Sequence, residues 1–138
     1  MDETIRAQGH ENVSAEHGST FEVTSDDFLT PAGDCILAVE ADRTPADFDP
    51  AFVEACRDED ATITIALSAG PITETVEARG DPELTFENDR SAVVRTSDYV
   101  DDRTVAVGAD AAAGDLNRKL ATVLSRGATL TLTLSVER

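Results

Sequence analysis

A mixed α+β domain, built from two ββαβ units with six strands and two helices, is the fold this sequence predicts, on three observations. Most apolar residues fall in short runs that alternate with polar ones, the period of half-buried strands. Only two segments combine a capping residue with helical spacing of apolar residues. One strand–helix–strand stretch also occurs twice. Asp34, Ala38, Val39, Ala41 and Asp42 recur as Asp102, Ala106, Val107, Ala109 and Asp110, an offset of 68 (102 − 34). Downstream, ATITIALS (61–68) recurs as ATLTLTLS (128–135), at an offset of 67 (128 − 61). Agreement in both order and spacing favours duplication over chance likeness between alternating strands.

Taken in order, NVSAEHGSTFEVT (12–24) reads as a strand with Val13, Ala15, His17, Phe21 and Val23 on one face. Asp26, Asp27, Pro31 and Gly33 mark a turn before the buried strand CILAVEA (35–41). Asp49 caps a helix with Pro50 at its first position, and Phe52, Val53 and Cys56 form its inner face. ATITIALS points Ile63, Ile65 and Leu67 inward. PITETVEAR (71–79) alternates more weakly and reads as an extra strand whose open edge could pair with another chain. SAVVRTS (91–97) and TVAVGA (104–109) are strands. A second helix follows, with Asp110 as its cap, Leu116, Leu120, Val123 and Leu124 on one face, and Gly127 at its end. Residues 128–136 close the chain as a strand. The reading is one domain over 1–138, with repeats at approximately 20–68 and 91–135; the segment before residue 10 is an addition.

The 138 residues suit one such domain. Acidic residues number 28 and basic ones 11, giving a net charge of −17, and Lys119 is the only lysine. Dispersed carboxylates of this kind suit a salt-accumulating, haloarchaeal cytoplasm, where they keep the surface hydrated. At molar salt the screening length is about 3 Å and counterion release drives little binding. The charge therefore argues against a clamp on a nucleic-acid backbone, while leaving room for short-range contacts. No run approaches the ~18 apolar residues of a membrane span, and the N-terminus lacks the build of a signal peptide. A cytoplasmic protein follows, and there two cysteines disfavour a disulfide.

The turn LTPAGDCI (29–36) resembles the GD box of cradle-loop barrels, which are themselves built from paired ββαβ units. That resemblance implies a six-stranded cradle-loop-type barrel, with extra strands and the two helices outside it. Asp101 stands where the second unit would repeat Gly33. A longer motif string resembles an archaeal family, domain of unknown function 371. It comprises Gly9-His10-x-Asn12-Val13, His17, Thr20-Phe21-Glu22-x-Thr24, Leu29-Thr30-x-x-Gly33-Asp34-Cys35-Ile36, Arg95-x-Ser97-Asp98 and Arg103-Thr104. The likeness spans nearly the whole chain. It implies a lysine after the aspartate at position 110, where this chain has Ala111, and it implies no reaction.

Several residues carry chemistry. His10 and His17 could hold a metal with Glu22 or Asp34, yet their odd spacing puts them on opposite faces of a regular strand. No metal is assigned and the cofactor is left unknown; a hydrogen-bonded core histidine is the plainer reading of His17. Cys35 shares the inward parity of Leu37 and Val39, which favours a buried thiol over a nucleophile. The repeat of Asp34 as Asp102 favours a carboxylate fixing a turn over a general base. Three of the 11 basic residues, Arg90, Arg95 and Arg103, fall within 14 positions beside Ser97 and Thr104. Guanidinium forks and hydroxyls suit phosphate or carboxylate, although Asp89, Asp98, Asp101 and Asp102 offer internal ion pairs instead.

No phosphate loop, nucleophile elbow or zinc-protease motif is present, and with no tryptophan and one tyrosine, stacking platforms for single strands are scarce. The functional expectation is a small binding or adaptor module for an anionic small molecule or a protein partner. Arg90, Arg95, Ser97 and Arg103 form its site, with His10 and Asn12 adjoining. The alternative is a small enzyme, with or without a metal, using His10, His17, Asp34 or Cys35.

Overall fold

In the computed structural model, which describes residues 1–137, four strands and one helix follow one another twice in the same order. The first half runs β1 (Asp2–Gln8), β2 (Thr20–Thr24), β3 (Ile36–Ala38), α1 (Pro50–Cys56) and β4 (Thr62–Ala69). The second runs β5 (Ile72–Arg79), β6 (Ser91–Arg95), β7 (Thr104–Ala106), α2 (Arg118–Ser125) and β8 (Thr129–Glu137). A 3-10 turn precedes each helix, at Pro45–Asp47 and Ala113–Asp115. No helix is long and apolar enough to cross a membrane, among the described residues.

The strands form two sheets of four, ordered β1-β8-β4-β5 and β3-β2-β6-β7. At the centre of the first, β4 and β8 run antiparallel with Ile65 opposite Leu134. Their alternation buries Ile63, Ile65 and Leu67 with Leu130, Leu132 and Leu134, and each such side chain removed from water contributes about 1.5–3 kcal/mol. At the centre of the second sheet, β2 and β6 run antiparallel with Glu22 opposite Val93. One antiparallel bridge joins the sheets at each seam, Gln8 with Val39 and Arg79 with Val107.

The segment before residue 10 is a full strand, paired with β8 over its whole length. Residues 12–18 do not continue β2 as the alternation predicts. Ala15 takes a left-handed conformation (φ 51°), and the carbonyl of Asp34 accepts the N–H groups of Glu16 and His17. The second helix starts later than expected. Its cap is Asn117, whose side chain accepts the Lys119 N–H at 2.8 Å, rather than Asp110. Asp115 accepts the Ala112 N–H and closes the 3-10 turn, so the chain reaches the helix only after Leu116 has turned to extended backbone. Asp110 instead accepts the Glu77 N–H at the β5–β7 seam. Asp49 caps α1 as expected, accepting the Ala51 N–H.

The halves interlock. Each helix packs on the last strand of the other half, α1 on β8 and α2 on β4. The chain leaving β1 passes so close to α2 that a Cβ on Gly9 would lie 2.1 Å from the Leu124 carbonyl oxygen. The chain leaving β5 passes α1 in the same way, and a Cβ on Gly80 would lie 2.1 Å from that of Cys56. Glutamates at matching places hold the helix caps: Glu3 accepts the Asp49 N–H and Glu74 accepts the Asn117 N–H.

Candidate functional site

The two faces of the β2–β6 pair differ in chemistry. Phe21, Val23, Ala92 and Val94 point into the core, so strand alternation sends Thr20, Glu22, Thr24, Ser91, Val93 and Arg95 to the other face. The loops leading into β3 and β7 cover that face and enclose a cleft of about 310 Å³. Phe28 and Leu29 of the β2–β3 loop and Ile36 of β3 supply its apolar lining, and Glu22, Asp26, Asn88, Arg90, Ser91 and Arg103 its polar lining.

Ion pairs order the polar lining. Asp26 accepts both Nε (2.8 Å) and Nη2 (2.7 Å) of Arg90. Asp101 accepts Nε (3.3 Å) and Nη2 (3.1 Å) of Arg103 and also Nη2 of Arg95 (3.1 Å). Nη1 of Arg103 stands 3.9 Å from Glu22 Oε1, and Nη1 of Arg90 makes no hydrogen bond among the described residues. Arg95 donates Nε to Thr104 Oγ1 at 2.8 Å and lies over the Tyr99 ring, 4.9 Å from its centroid. Its side chain is only 11% exposed, against 62% for Arg90 and 44% for Arg103.

The carboxyl groups respond in opposite ways. Burial pushes Glu22 above the usual carboxylate range, and Arg103, the Ser91 hydroxyl, Arg95 and Arg90 oppose that rise without cancelling it. Burial also acts to raise Asp101. The fork and backbone N–H of Arg103, the Thr104 hydroxyl and the Arg95 charge outweigh it and hold Asp101 at about 2. The Arg90 fork lowers Asp26. A desolvated carboxyl group in a cleft beside fixed charges is a recurring mark of functional sites.

Of the residues singled out from sequence, Arg90 and Arg103 line the cleft together. Arg95 shares Asp101 with Arg103 but is folded over the Tyr99 ring. Ser97 lies in the β6–β7 loop, where its hydroxyl accepts the Tyr99 N–H. Asn12 buttresses the cleft from behind, donating Nδ2 to the Leu29 carbonyl at 2.8 Å. His10 accepts the Asn12 N–H at Nδ1, and His17 accepts those of Ser19 and Thr20 at Nδ1. His17 is therefore a half-buried loop cap rather than a core residue. The second half confirms that role: Asp81 accepts the Glu83 N–H, and Asn88 accepts those of Arg90 and Ser91. Among the described residues, no group of three His, Cys, Asp or Glu side chains could hold a metal ion.

Cys35 is half-buried beside Glu22 rather than in the core, its Sγ 4.0 Å from Oε1, because β3 begins only at Ile36. Burial first, then the Glu22 charge, push its thiol pKa up, the reverse of what a nucleophile needs. Asp34 acts through its backbone carbonyl rather than its carboxylate. Sequence reasoning considered Glu22 only as a further ligand of a histidine metal site; its place opposite Val93, in the middle of an apolar strand pair, emerges from the fold.

A family model described as a domain of unknown function, DUF371, matches residues 5–137. An uncharacterised protein of Methanocaldococcus jannaschii is 35% identical over 127 residues, which cover 92% of this chain and 93% of that protein. The chain belongs to the DUF371 family.

Proposed function

We propose that this protein is a small cytoplasmic binding module of a salt-adapted cell, and that its cleft takes an anionic small molecule through Arg90 and Arg103. One observation carries the reading: two guanidinium groups from the second half meet a desolvated carboxyl group from the first, Glu22, in one cleft. Burial makes Glu22 a weaker competitor for Arg103 than an ordinary carboxylate, so Nη1 of Arg103, 3.9 Å from it, can turn to an incoming anion. The excess of acidic residues with one lysine supports the salt-adapted setting. Bridges at both seams support reading the two sheets as one cradle-loop-type barrel, whose loops shelter the site. The matched halves support an internal duplication within a single domain.

A second reading, a small enzyme, shifts from the histidines and Cys35 to Glu22. Both imidazoles hold backbone N–H groups, the thiol is disfavoured as thiolate, and only Glu22 combines burial with access to the cleft. As a general acid it would be needed for turnover and dispensable for binding.

The test is a thermal-shift screen in molar KCl against phosphates, sulfates and carboxylates. A ligand at 100 times its Kd adds about 2.7 kcal/mol. The shift is expected to vanish in both Arg90→Ala and Arg103→Ala. Full binding by the double variant would sink the proposal.

A further inference from the structure

The cleft lining combines apolar side chains with arginines and other polar groups. Phe28 is 57% exposed, and only Met1, Phe28 and Tyr99 are large apolar or aromatic residues so placed among those described. The other four phenylalanines, Phe21, Phe48, Phe52 and Phe86, are buried. Phe28 lines the cleft together with Leu29 and Ile36, so its ring is part of an apolar patch that a flat ligand can cover rather than a lone surface residue.

Both arginines, Arg90 and Arg103, are already partly engaged. The Nε/Nη2 edge of each holds an aspartate. What remains on each is the end-on Nη1/Nη2 pair, with Nη1 of Arg103 3.9 Å from Glu22 Oε1. An anion with three or more oxygens can accept from both guanidinium ends at once. Thr30, Asn88 and Ser91 also line the cleft. Asn88 accepts the Arg90 and Ser91 N–H groups and donates to Asp102, and the Ser91 hydroxyl donates to Thr24, so the exposed Thr30 hydroxyl is the group that meets a hydroxylated segment. The volume, about 310 Å³, lies at the lower end for small-molecule sites and fits one ring system with one charged group.

A flat apolar face, a hydroxyl partner and two guanidinium ends in one cleft describe one chemical class of ligand. We infer that the cleft takes a nucleoside phosphate, its base against Phe28 and Ile36 and its phosphate between Arg90 and Arg103. This inference rests on the anion-binding reading above. It holds whether the nucleoside phosphate is a free mononucleotide or the phosphorylated end of an RNA chain. Stacking and short ion contacts survive molar salt, in which long-range attraction to a polyanion does not.

The experiment measures binding in molar KCl by the wild-type chain, Phe28→Ala, Arg90→Ala and Arg103→Ala. The probes are the four ribonucleoside monophosphates, ribose 5-phosphate, adenosine and a short RNA with a 5′-phosphate. Stacking of one base predicts that a mononucleotide, or the RNA end, binds on the order of 5- to 150-fold more tightly than ribose 5-phosphate. Phe28→Ala should erase that advantage and leave ribose 5-phosphate binding as it was, since the ring is exposed and removing it leaves the core intact. Arg90→Ala and Arg103→Ala should weaken every phosphate probe.

If ribose 5-phosphate binds as well as nucleotides, or Phe28→Ala keeps the advantage, the nucleoside assignment is overturned and the anion reading stands. If no phosphate probe binds, the nucleoside assignment falls, and it takes the anion reading with it if sulfates and carboxylates also fail to bind. Tighter binding of the RNA than of its terminal nucleotide would identify the chain end as the source, and the reverse the free nucleotide.

Discussion

Glu22 acts on stability and on binding through the same property, its reluctance to ionise. Its folded pKa lies above the 4.5 of an ordinary glutamate, so the native state holds a proton that the unfolded chain has already lost. Stability contributed by the protonated form is complete below pH 4.5 and is lost as pH rises through the folded value. Glu22→Gln cannot ionise, and it should be more stable than wild type at pH 7 and nearly equal to it at pH 4, by urea unfolding in molar KCl. A variant that is weaker at pH 7 would contradict this. Anion affinity in the wild type should rise as pH falls through the same range, because Arg103, Arg95 and Arg90 are then freed of one counter-charge. The Cys35 thiol beside it stays neutral there. Arg90 and Arg103 were legible as a cluster from spacing alone. Glu22 was not, because nothing local says that the β2–β3 loop and residues of the other half will take a mid-strand carboxylate out of water.

The loops between strands show how a sequence motif can mislead about chemistry. His10 and His17 are the only histidines, which invites a catalytic or metal-binding role, yet each ring does for its turn what Asp81 and Asn88 do in the second half. His17→Asn should therefore keep near wild-type stability, whereas His17→Ala loses the acceptor and about 1 kcal/mol. Equal losses in both variants would mean the ring matters for something other than its Nδ1 lone pair. Strands with clean alternation, β4 and β8 above all, were readable from the sequence, as was the Asp49 cap. The segment 12–18 was not, since Val13 and Ala15 are buried as a strand would bury them while the backbone turns left-handed at Ala15. β1 was legible but lay outside the offset used: Glu-Thr-Ile-x-Ala-x-Gly at 3–9 recurs as Glu-Thr-Val-x-Ala-x-Gly at 74–80, displaced by 71 (74 − 3). The displacement changes to 68 because the β2–β3 loop (25–35) is three residues longer than the β6–β7 loop (96–103).

At the scale of the molecule, the halves depend on each other through a few close approaches of backbone to backbone. Gly80→Ala places a methyl group against the Cys56 carbonyl, which must move with the end of α1. A cost of about 1–3 kcal/mol is expected, read by urea unfolding, with Gly9→Ala behaving alike at α2. Loss in only one of them would show that the two contacts are not equivalent. Phe28 and Tyr99 occupy matching places (28 + 71 = 99) and have gone separate ways. The longer loop leaves Phe28 on a cleft, while the shorter one brings Tyr99 under Arg95. The placement of Glu22 opposite Val93 carries this further, because that pair maps onto itself when the halves are exchanged (22 + 71 = 93). Directly paired strand residues hold their Cβ atoms about 4.5–5.5 Å apart, so a perfectly repeated chain would set two carboxylates face to face with little water between them. An acidic group beside the pseudo-twofold axis is tolerable on one strand only. Val93 opposite Glu22, in place of a second carboxylate, is then the condition under which this site can exist.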